Sequence, residues 1–170
     1  MKITVGDITS LNVEVIVNAA NGRGICGRGV AGSIGQAGGP EFRNMVRRIC
    51  ESSGGFKAGE SYISPTGGNL ETNGIQSVYH AVTMEQPGGP TSYDIIAKAM
   101  RATLEMALAN GVKSIAFPGL GTGVGQLDVE RVASIMVKIA ESYADSINIT
   151  IIDIDKNFIQ CAKNAITTEA

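Results

Sequence analysis

Two stretches of this chain combine residue types suited to chemistry. The first is Val17-Asn18-Ala19-Ala20-Asn21, followed by the loop Gly22-Arg23-Gly24-Ile25-Cys26-Gly27-Arg28-Gly29-Val30-Ala31-Gly32. An apolar segment from Val13 to Val17 runs into asparagine side chains, which both donate and accept hydrogen bonds. The loop behind them is too rich in glycine to be only a connector. Such a loop exposes backbone N–H groups and lets a ligand approach the main chain closely. A short helix expected from Val30 to Gln36 would aim its free N–H groups and positive dipole end at the same place, which favours phosphate. The second stretch is Pro118-Gly119-Leu120-Gly121-Thr122-Gly123-Val124-Gly125. Together they point to a nucleotide or another diphosphate.

Other chemistries fit less well. The string G-x-G-x-x-G occurs twice, from Gly22 to Gly27 and from Gly27 to Gly32. A dinucleotide fingerprint should follow its strand closely and lead to a second strand ending in an acidic ribose ligand. Here a polar Asn-Ala-Ala-Asn stretch intervenes, and no such acidic strand end follows between Gly32 and Gly55. No G-x-x-x-x-G-K-[ST] string exists, which excludes a P-loop. Cys26, Cys50 and Cys161 are widely spaced and lack a C-x-x-C pair, and the chain has one histidine. A zinc site or a disulfide framework is therefore not expected. Cys26 has no base near it in sequence to activate a thiolate. His80 sits among apolar neighbours on an expected strand and reads as a hydrogen-bonded core residue. Arg43, Arg47 and Arg48 read as a solvated helix face. Taken alone, Asp7 reads as the cap of a turn before Ser10.

The elements that must position these residues alternate along the chain. Strands are expected at Lys2–Val5, Val13–Val17, Ser61–Ser64, Ser77–Val82, Ser114–Phe117 and Ile147–Ile152, from their length and β-branched content. Helices are expected from Pro40, after Ser92 as far as Asn110-Gly111, from Asp128, and from Asp155, each with apolar residues at three-and-four spacing. This alternation implies a central sheet covered on both faces. Ligands of such sheets bind where loops leave the carboxyl ends of strands. Both glycine clusters follow expected strands, so one rim can carry both.

Composition frames the rest. At 170 residues the chain is expected to be one domain, residues 1–170. Glycine is 22 of 170, against an average near 7%. Twelve of these lie in the ranges Gly22–Gly39 and Gly119–Gly125, so the excess is local. The net charge of -2 and the lack of a basic run argue against duplex nucleic acid as a partner. No stretch approaches the ~20 apolar residues that span a bilayer, and Asp7 interrupts any signal-peptide pattern. The cytoplasm is the expected compartment, and no membrane partner is expected.

Five pieces in order carry a resemblance: Gly6-Asp7-Ile8-Thr9, Val17–Asn21, Gly27–Ala31, Gly59-Glu60 with Thr66-Gly67-Gly68-Asn69-Leu70, and Pro118–Gly125. With the strand Tyr79-His80-Ala81-Val82, they resemble the macro domain family from Lys2 to about Ala165. The resemblance implies a three-layer α/β/α fold with a mixed, largely parallel central sheet, and ADP-ribose held in a cleft between two loops. It implies that Asp7 accepts from the adenine amino group and that the Ile8 N–H meets an adenine ring nitrogen. It places Ile154 where some members stack an aromatic ring on adenine, and Asn21 at the distal ribose. Gly27, Gly29 and Val30 would line one diphosphate loop, and Gly121, Thr122, Gly123 and Val124 the other. Gly125 stands where an aromatic is frequent, and Ala31 where some hydrolytic members have Asp.

The implied activity is metal-free hydrolysis of an ADP-ribose adduct, with Asn21 as the catalytic residue and no cofactor. The adduct would be mono-ADP-ribosylated protein, O-acetyl-ADP-ribose or ADP-ribose 1″-phosphate. The alternative is a reader that binds ADP-ribose or ADP-ribosylated proteins without chemistry.

Overall fold

The strands assemble into one sheet whose order scrambles the chain. The computed structural model of the protein describes residues 1–122 and 127–167. Strands β1 (Lys2–Val5), β2 (Val15–Asn21), β3 (Ser61–Pro65), β4 (Ser77–Met84), β5 (Ser114–Phe117) and β6 (Asn148–Asp153) lie in the order β1-β6-β5-β2-β4-β3. Every neighbouring pair is parallel except β3 with β4. The helices are α1 (Gly29–Gly38), α2 (Pro40–Ser53), α3 (Gly68–Thr72), α4 (Tyr93–Ala109), α5 (Val129–Tyr143) and α6 (Lys156–Asn164).

Two apolar cores flank the sheet. Ile96 and Met100 of α4, Met136 of α5 and Phe158 of α6 pack with Val15, Val17 and Ile151 on one face. Ile34 of α1, Phe42 and Val46 of α2 and Leu70 of α3 pack with Ile16 and Ile152 on the other. The two-residue period of β2 and β6 thus feeds both faces in turn. Each fully buried side chain of this size contributes about 1.5–3 kcal/mol. The result is the α/β/α sandwich expected from the alternation of elements.

The helix boundaries follow their local chemistry. Ser92, Asp128 and Asp155 cap α4, α5 and α6 by accepting from backbone N–H groups two or three residues on. Pro40 opens α2, and Gly54 closes it in a left-handed conformation. Several features depart from the sequence expectation. Helix α1 begins at Gly29 and runs to Gly38, longer at both ends than Val30–Gln36. Helix α3, for which the sequence analysis names no helix, forms over the Gly68-Asn69-Leu70 motif, with Leu70 buried in the core. Arg43 is half-buried rather than solvated, and it stitches α2 to α1 by donating from Nη1 to the Gly35 carbonyl at 2.9 Å.

The largest departure is β2. It starts at Val15 rather than Val13, and it continues through the polar stretch to Asn21. Pairing with β4 holds from Val15↔Ser77 to Ala20↔Val82, then shifts to Asn21↔Met84. A polar side chain in this central strand is accommodated by a hydrogen-bonded chain. Ser64 donates to the Pro65 carbonyl, so its oxygen accepts from His80 Nε2 at 2.8 Å. His80 Nδ1 then accepts from Asn18 Nδ2 at 3.1 Å. The Tyr62 ring stacks on the imidazole, with centroids 4.5 Å apart.

His80 is completely buried, and burial pushes its pKa down to about 3. The folded protein therefore keeps it neutral, while the unfolded chain protonates it below about 6.5. Between those values the unfolded state binds more protons, so stability falls as pH falls. It is the single histidine of the chain. The unfolding free energy is expected to drop by about 2 kcal/mol between pH 7 and pH 5. Urea titrations at both values should show this drop in the wild type and its disappearance in His80→Gln. Equal pH dependence in the two proteins would refute the assignment.

Candidate functional site

The carboxyl ends of β2, β4, β5 and β6 open onto a cleft with two adjoining chambers. The larger has a volume of about 490 Å³ and the smaller about 370 Å³. They share Ala19, Arg28, Ala31 and Met84 as walls.

One end of the larger chamber is acidic. The chain leaves β1 through a single 3-10 turn, Ile8–Ser10, capped by Asp7. Asp7 Oδ1 accepts from the Thr9 N–H at 2.9 Å and the Thr9 hydroxyl at 2.7 Å. Both bonds fall on one oxygen, which leaves Oδ2 for a ligand on the exposed wall. The turn-capping and ligand-facing readings of Asp7 are therefore compatible. Ile8 and Ile154 line the same end, and Ile154 is 74% exposed. An isoleucine so exposed between a strand and a capped helix gains nothing for the core.

Asp153 was not singled out from the sequence. At the end of β6 its Oδ2 accepts from the Gly119 N–H and its Oδ1 from the Asp155 N–H, each at 2.9 Å. Its carbonyl accepts from the Gly6 N–H at 3.0 Å. One residue thus ties together the loops that leave β1, β5 and β6. The signal was an acidic residue at the carboxyl end of a strand in an open α/β sheet. Ser33, Thr83 and Met84 also line the cleft without having been anticipated.

The middle of the cleft is electropositive through its backbone. Arg28 precedes α1 and makes no side-chain capping bond. The first intrahelical bond runs from the Gly32 N–H to the Arg28 carbonyl. The N–H groups of Gly29, Val30 and Ala31 lie ahead of it, and all three residues line the cavity. Gly29 has φ +61, and a Cβ added there would meet nothing within 4 Å. A ligand can therefore come directly against this main chain. Gly119, Gly121 and Thr122 face α1 from the other wall. Gly123, Val124 and Gly125 lie outside the described residues.

Asn21 and Gly27 line the smaller chamber instead. The Asn21 side chain is almost fully used by its own loop. Its Oδ1 accepts from the N–H groups of Arg23 at 3.0 Å and Ile25 at 3.2 Å, and its Nδ2 donates to the Ile25 carbonyl at 2.8 Å. One Nδ2 hydrogen remains for a ligand. Cys26, at the foot of this loop, is half-buried, and burial pushes its thiol up, away from a reactive thiolate. Among the described residues no group of three or more His, Cys, Asp or Glu is placed to hold a metal ion. No described helix is long and apolar enough to cross a membrane.

The match to a family model decides the lineage: residues 17–136 match the macro domain. The chain belongs to the macro domain family. An uncharacterised protein of Aquifex aeolicus is 36% identical over 162 residues, covering 94% of this chain and 93% of that one. The O-acetyl-ADP-ribose deacetylase of Klebsiella pneumoniae is 34% identical over 148 residues, 86% of this chain and 82% of that one. Among solved structures, a mutant of the Oceanobacillus iheyensis macrodomain with ADPR superposes with a TM-score of 0.81 at 26% identity. That likeness covers 95% of this macro domain and 88% of the other chain.

Gly22 anchors the whole loop. Its N–H donates to the Met84 and Glu85 carbonyls, and its carbonyl accepts from Phe56. An added Cβ would stand 1.8 Å from the Phe56 carbonyl oxygen, which is backbone and cannot swing aside. Gly22→Ala is expected to lower the unfolding free energy by about 1–3 kcal/mol, the usual range for overpacking. Chemical denaturation measures it, and wild-type stability would show that the loop is not clamped there.

Proposed function

We propose that this macro domain binds ADP-ribose along the cleft and hydrolyses an adduct at the distal ribose. The observation that carries the reading is the order of the cleft's parts. A free carboxylate oxygen and an exposed isoleucine stand at one end, backbone N–H groups at the middle, and a chamber with an asparagine amide at the other. Adenine offers an amino donor to Asp7 and an apolar face to Ile154. The diphosphate suits the start of α1 and the wall at Gly121 and Thr122. The distal ribose then falls beside Asn21 and Gly27. The family membership and an ADPR-bound structural relative support the same ligand.

The smaller chamber bears on the kind of chemistry proposed. Apart from Arg28, its described lining residues are Ala19, Ala20, Asn21, Ile25, Gly27, Ala31, Met84, Pro87 and Gly88. None of these side chains is a general base. A water attacking there would be oriented by the ligand's own phosphate and by the loop, and the acceleration would come mostly from positioning. Asn21 would act by fixing the loop and by offering its remaining N–H to the ribose. O-acetyl-ADP-ribose, ADP-ribose 1″-phosphate and mono-ADP-ribosylated proteins are the adducts considered, and no resident cofactor or metal enters the scheme.

That no described lining residue of the chamber is a general base also favours a second reading, a reader without turnover. Calorimetric titration and hydrolysis assays separate the two. Wild type should bind ADP-ribose at micromolar concentration. Asp7→Ala should weaken binding about tenfold, in line with loss of one charge-assisted hydrogen bond at 1.5–3 kcal/mol. Asn21→Ala should lower turnover of an adduct by at least about tenfold, because loop and ribose both lose a partner. Binding with no turnover of any of the three adducts would establish the reader. Full turnover by Asn21→Ala would remove Asn21 from the mechanism, and absence of binding would remove the reading altogether.

A further inference from the structure

Positive charge is concentrated on the surface beside the Asn21 end of the cleft, mostly in residues that ADP-ribose binding does not explain. From Arg23 to Arg48 the chain holds five arginines, Arg23, Arg28, Arg43, Arg47 and Arg48, and one carboxylate, Glu41. That is a local excess of four positive charges in a chain whose net charge is -2. The fold gathers them. Gly24 packs on α2 so closely that an added Cβ would stand 2.7 Å from the Val46 carbonyl oxygen and 3.0 Å from Arg47 Cα. Arg23 and Ile25, on either side of Gly24, are thereby brought beside Arg47.

The charge is left uncompensated. Arg43 donates to the Gly35 carbonyl, and Arg47 turns back along α2 to donate to Asn44 Oδ1 at 2.8 Å, away from Glu51 one turn ahead. Both acceptors are neutral. Arg23, Arg28, Arg47 and Arg48 are exposed. Ile25, 47% exposed with its backbone fixed by the Asn21 amide, adds an apolar contact among them. Ile25 and Arg28 also line the smaller chamber, so this surface adjoins the Asn21 end of the cleft. The aromatic platforms on which single-stranded nucleic acid stacks are missing from this stretch: its one aromatic residue, Phe42, is buried. A long polyanion would also meet the acidic remainder of the chain. Carboxylates on a short segment suit exposed guanidinium groups, which accept them in a bidentate geometry.

We propose that the surface formed by Arg23, Ile25, Arg47 and Arg48 docks the polypeptide that carries the ADP-ribose, and that it selects carriers with acidic residues flanking the modified side chain. This rests on the ADP-ribose reading above and narrows it to modified proteins, since a small adduct has nothing to present to α2. Complementary charge outside the cleft speeds encounter and discriminates between carriers. Arg23 and Arg47 act here without touching adenine, diphosphate or the distal ribose.

The test uses two peptides that bear ADP-ribose through an N-glycosidic bond to a central glutamine, which offers no ester to cleave. One is flanked by glutamates and the other by glutamines. Affinities of both, and of free ADP-ribose, are measured by calorimetry on the wild type and on the double variant Arg23→Gln/Arg47→Gln. At about 50 mM salt the wild type should bind the glutamate peptide about tenfold more tightly, as a few exposed ion pairs of up to about fivefold each allow. At about 500 mM salt, and in the double variant at low salt, that ratio should fall to about threefold or less. Affinity for free ADP-ribose should be the same in both proteins. Both side chains are exposed, so folding is expected to stay intact; a thermal melt checks it, and the salt series on the wild type does not depend on the variant. Equal affinity for the two peptides in a wild type that binds ADP-ribose would overturn this inference alone. So would a ratio unchanged by the double variant. Displacement of the glutamate peptide by oligothymidylate more readily than by the same peptide without ADP-ribose would assign the surface to nucleic acid and overturn it as well. A wild type that fails to bind ADP-ribose would instead overturn the reading on which it rests.

Discussion

The pairing of β2 with β4 through the Asn-Ala-Ala-Asn stretch is the constraint on which the rest depends. A strand ending at Val17 would release the glycine loop four residues earlier, far down the sheet. Continuing to Asn21 carries the loop to the rim where β5 and β6 also end. The continuation needs Asn18 in the middle of a buried central strand, where an unmatched amide costs about 1–3 kcal/mol. His80 Nδ1 accepts from the Asn18 Nδ2, and Ser64 and the stacked Tyr62 ring hold the imidazole in turn, while the Asn18 Oδ1 has no partner among the described residues. The polar chain is thus structural, but its consequence is functional: it decides where the loop emerges.

Charge in the cleft poses a second problem. Asp7, Asp153 and Asp155 line the larger chamber, against Arg28 as the one cation among the described lining residues. Side-chain charge alone would repel a dianionic ligand. Two of the three carboxylates, however, are largely spent on backbone N–H groups: Asp153 on Gly119 and Asp155, and Asp155 on the start of α6. Their negative charge is tied to the ends of strands and a helix. The unspent donors, at Gly29, Val30 and Ala31, stand at the opposite wall. Separation of acceptors and donors along one cleft gives a ligand an orientation, with a base-like donor group at one end and phosphate in the middle.

How much of this was legible in the sequence varies with the range of the physics involved. Cap residues, glycine stops and helical spacing act within a few residues, so α2, α4, α5 and α6 could be read from Pro40, Ser92, Asp128 and Asp155. The extent of β2 could not, because it depends on His80, sixty-two positions away. The short α3 had no periodicity to display; only the pull of the core on Leu70 makes it a helix. In the site, Asp7, Ile8, Gly29, Val30, Gly121, Thr122 and Ile154 meet in one chamber, and Asn21 and Gly27 in the next. That division was invisible, since a linear motif gives no depth. Asp153 escaped notice because it falls just past the expected strand end at Ile152, and its backbone partners, Gly6, Gly119 and Asp155, are set only by the fold.

In the proposed reading the Asn21 amide belongs to both the fold and the chemistry. Three of its hydrogen bonds are made to its own loop, at Arg23 and Ile25. A side chain held this way has little rotamer freedom left to lose when a ligand arrives. In the proposed reading the remaining N–H is aimed before binding, and the ligand would meet a fixed donor rather than ordering a mobile one. The same bonds fix the Ile25 backbone and with it the apolar rim of the smaller chamber. Preorganisation of the polar contact and of the apolar wall is thus a single structural event, and it follows from the strand that delivers Asn21 to the rim. Substitutions at Asn21 consequently act on both at once, whereas substitutions at Ile25 act on the wall alone.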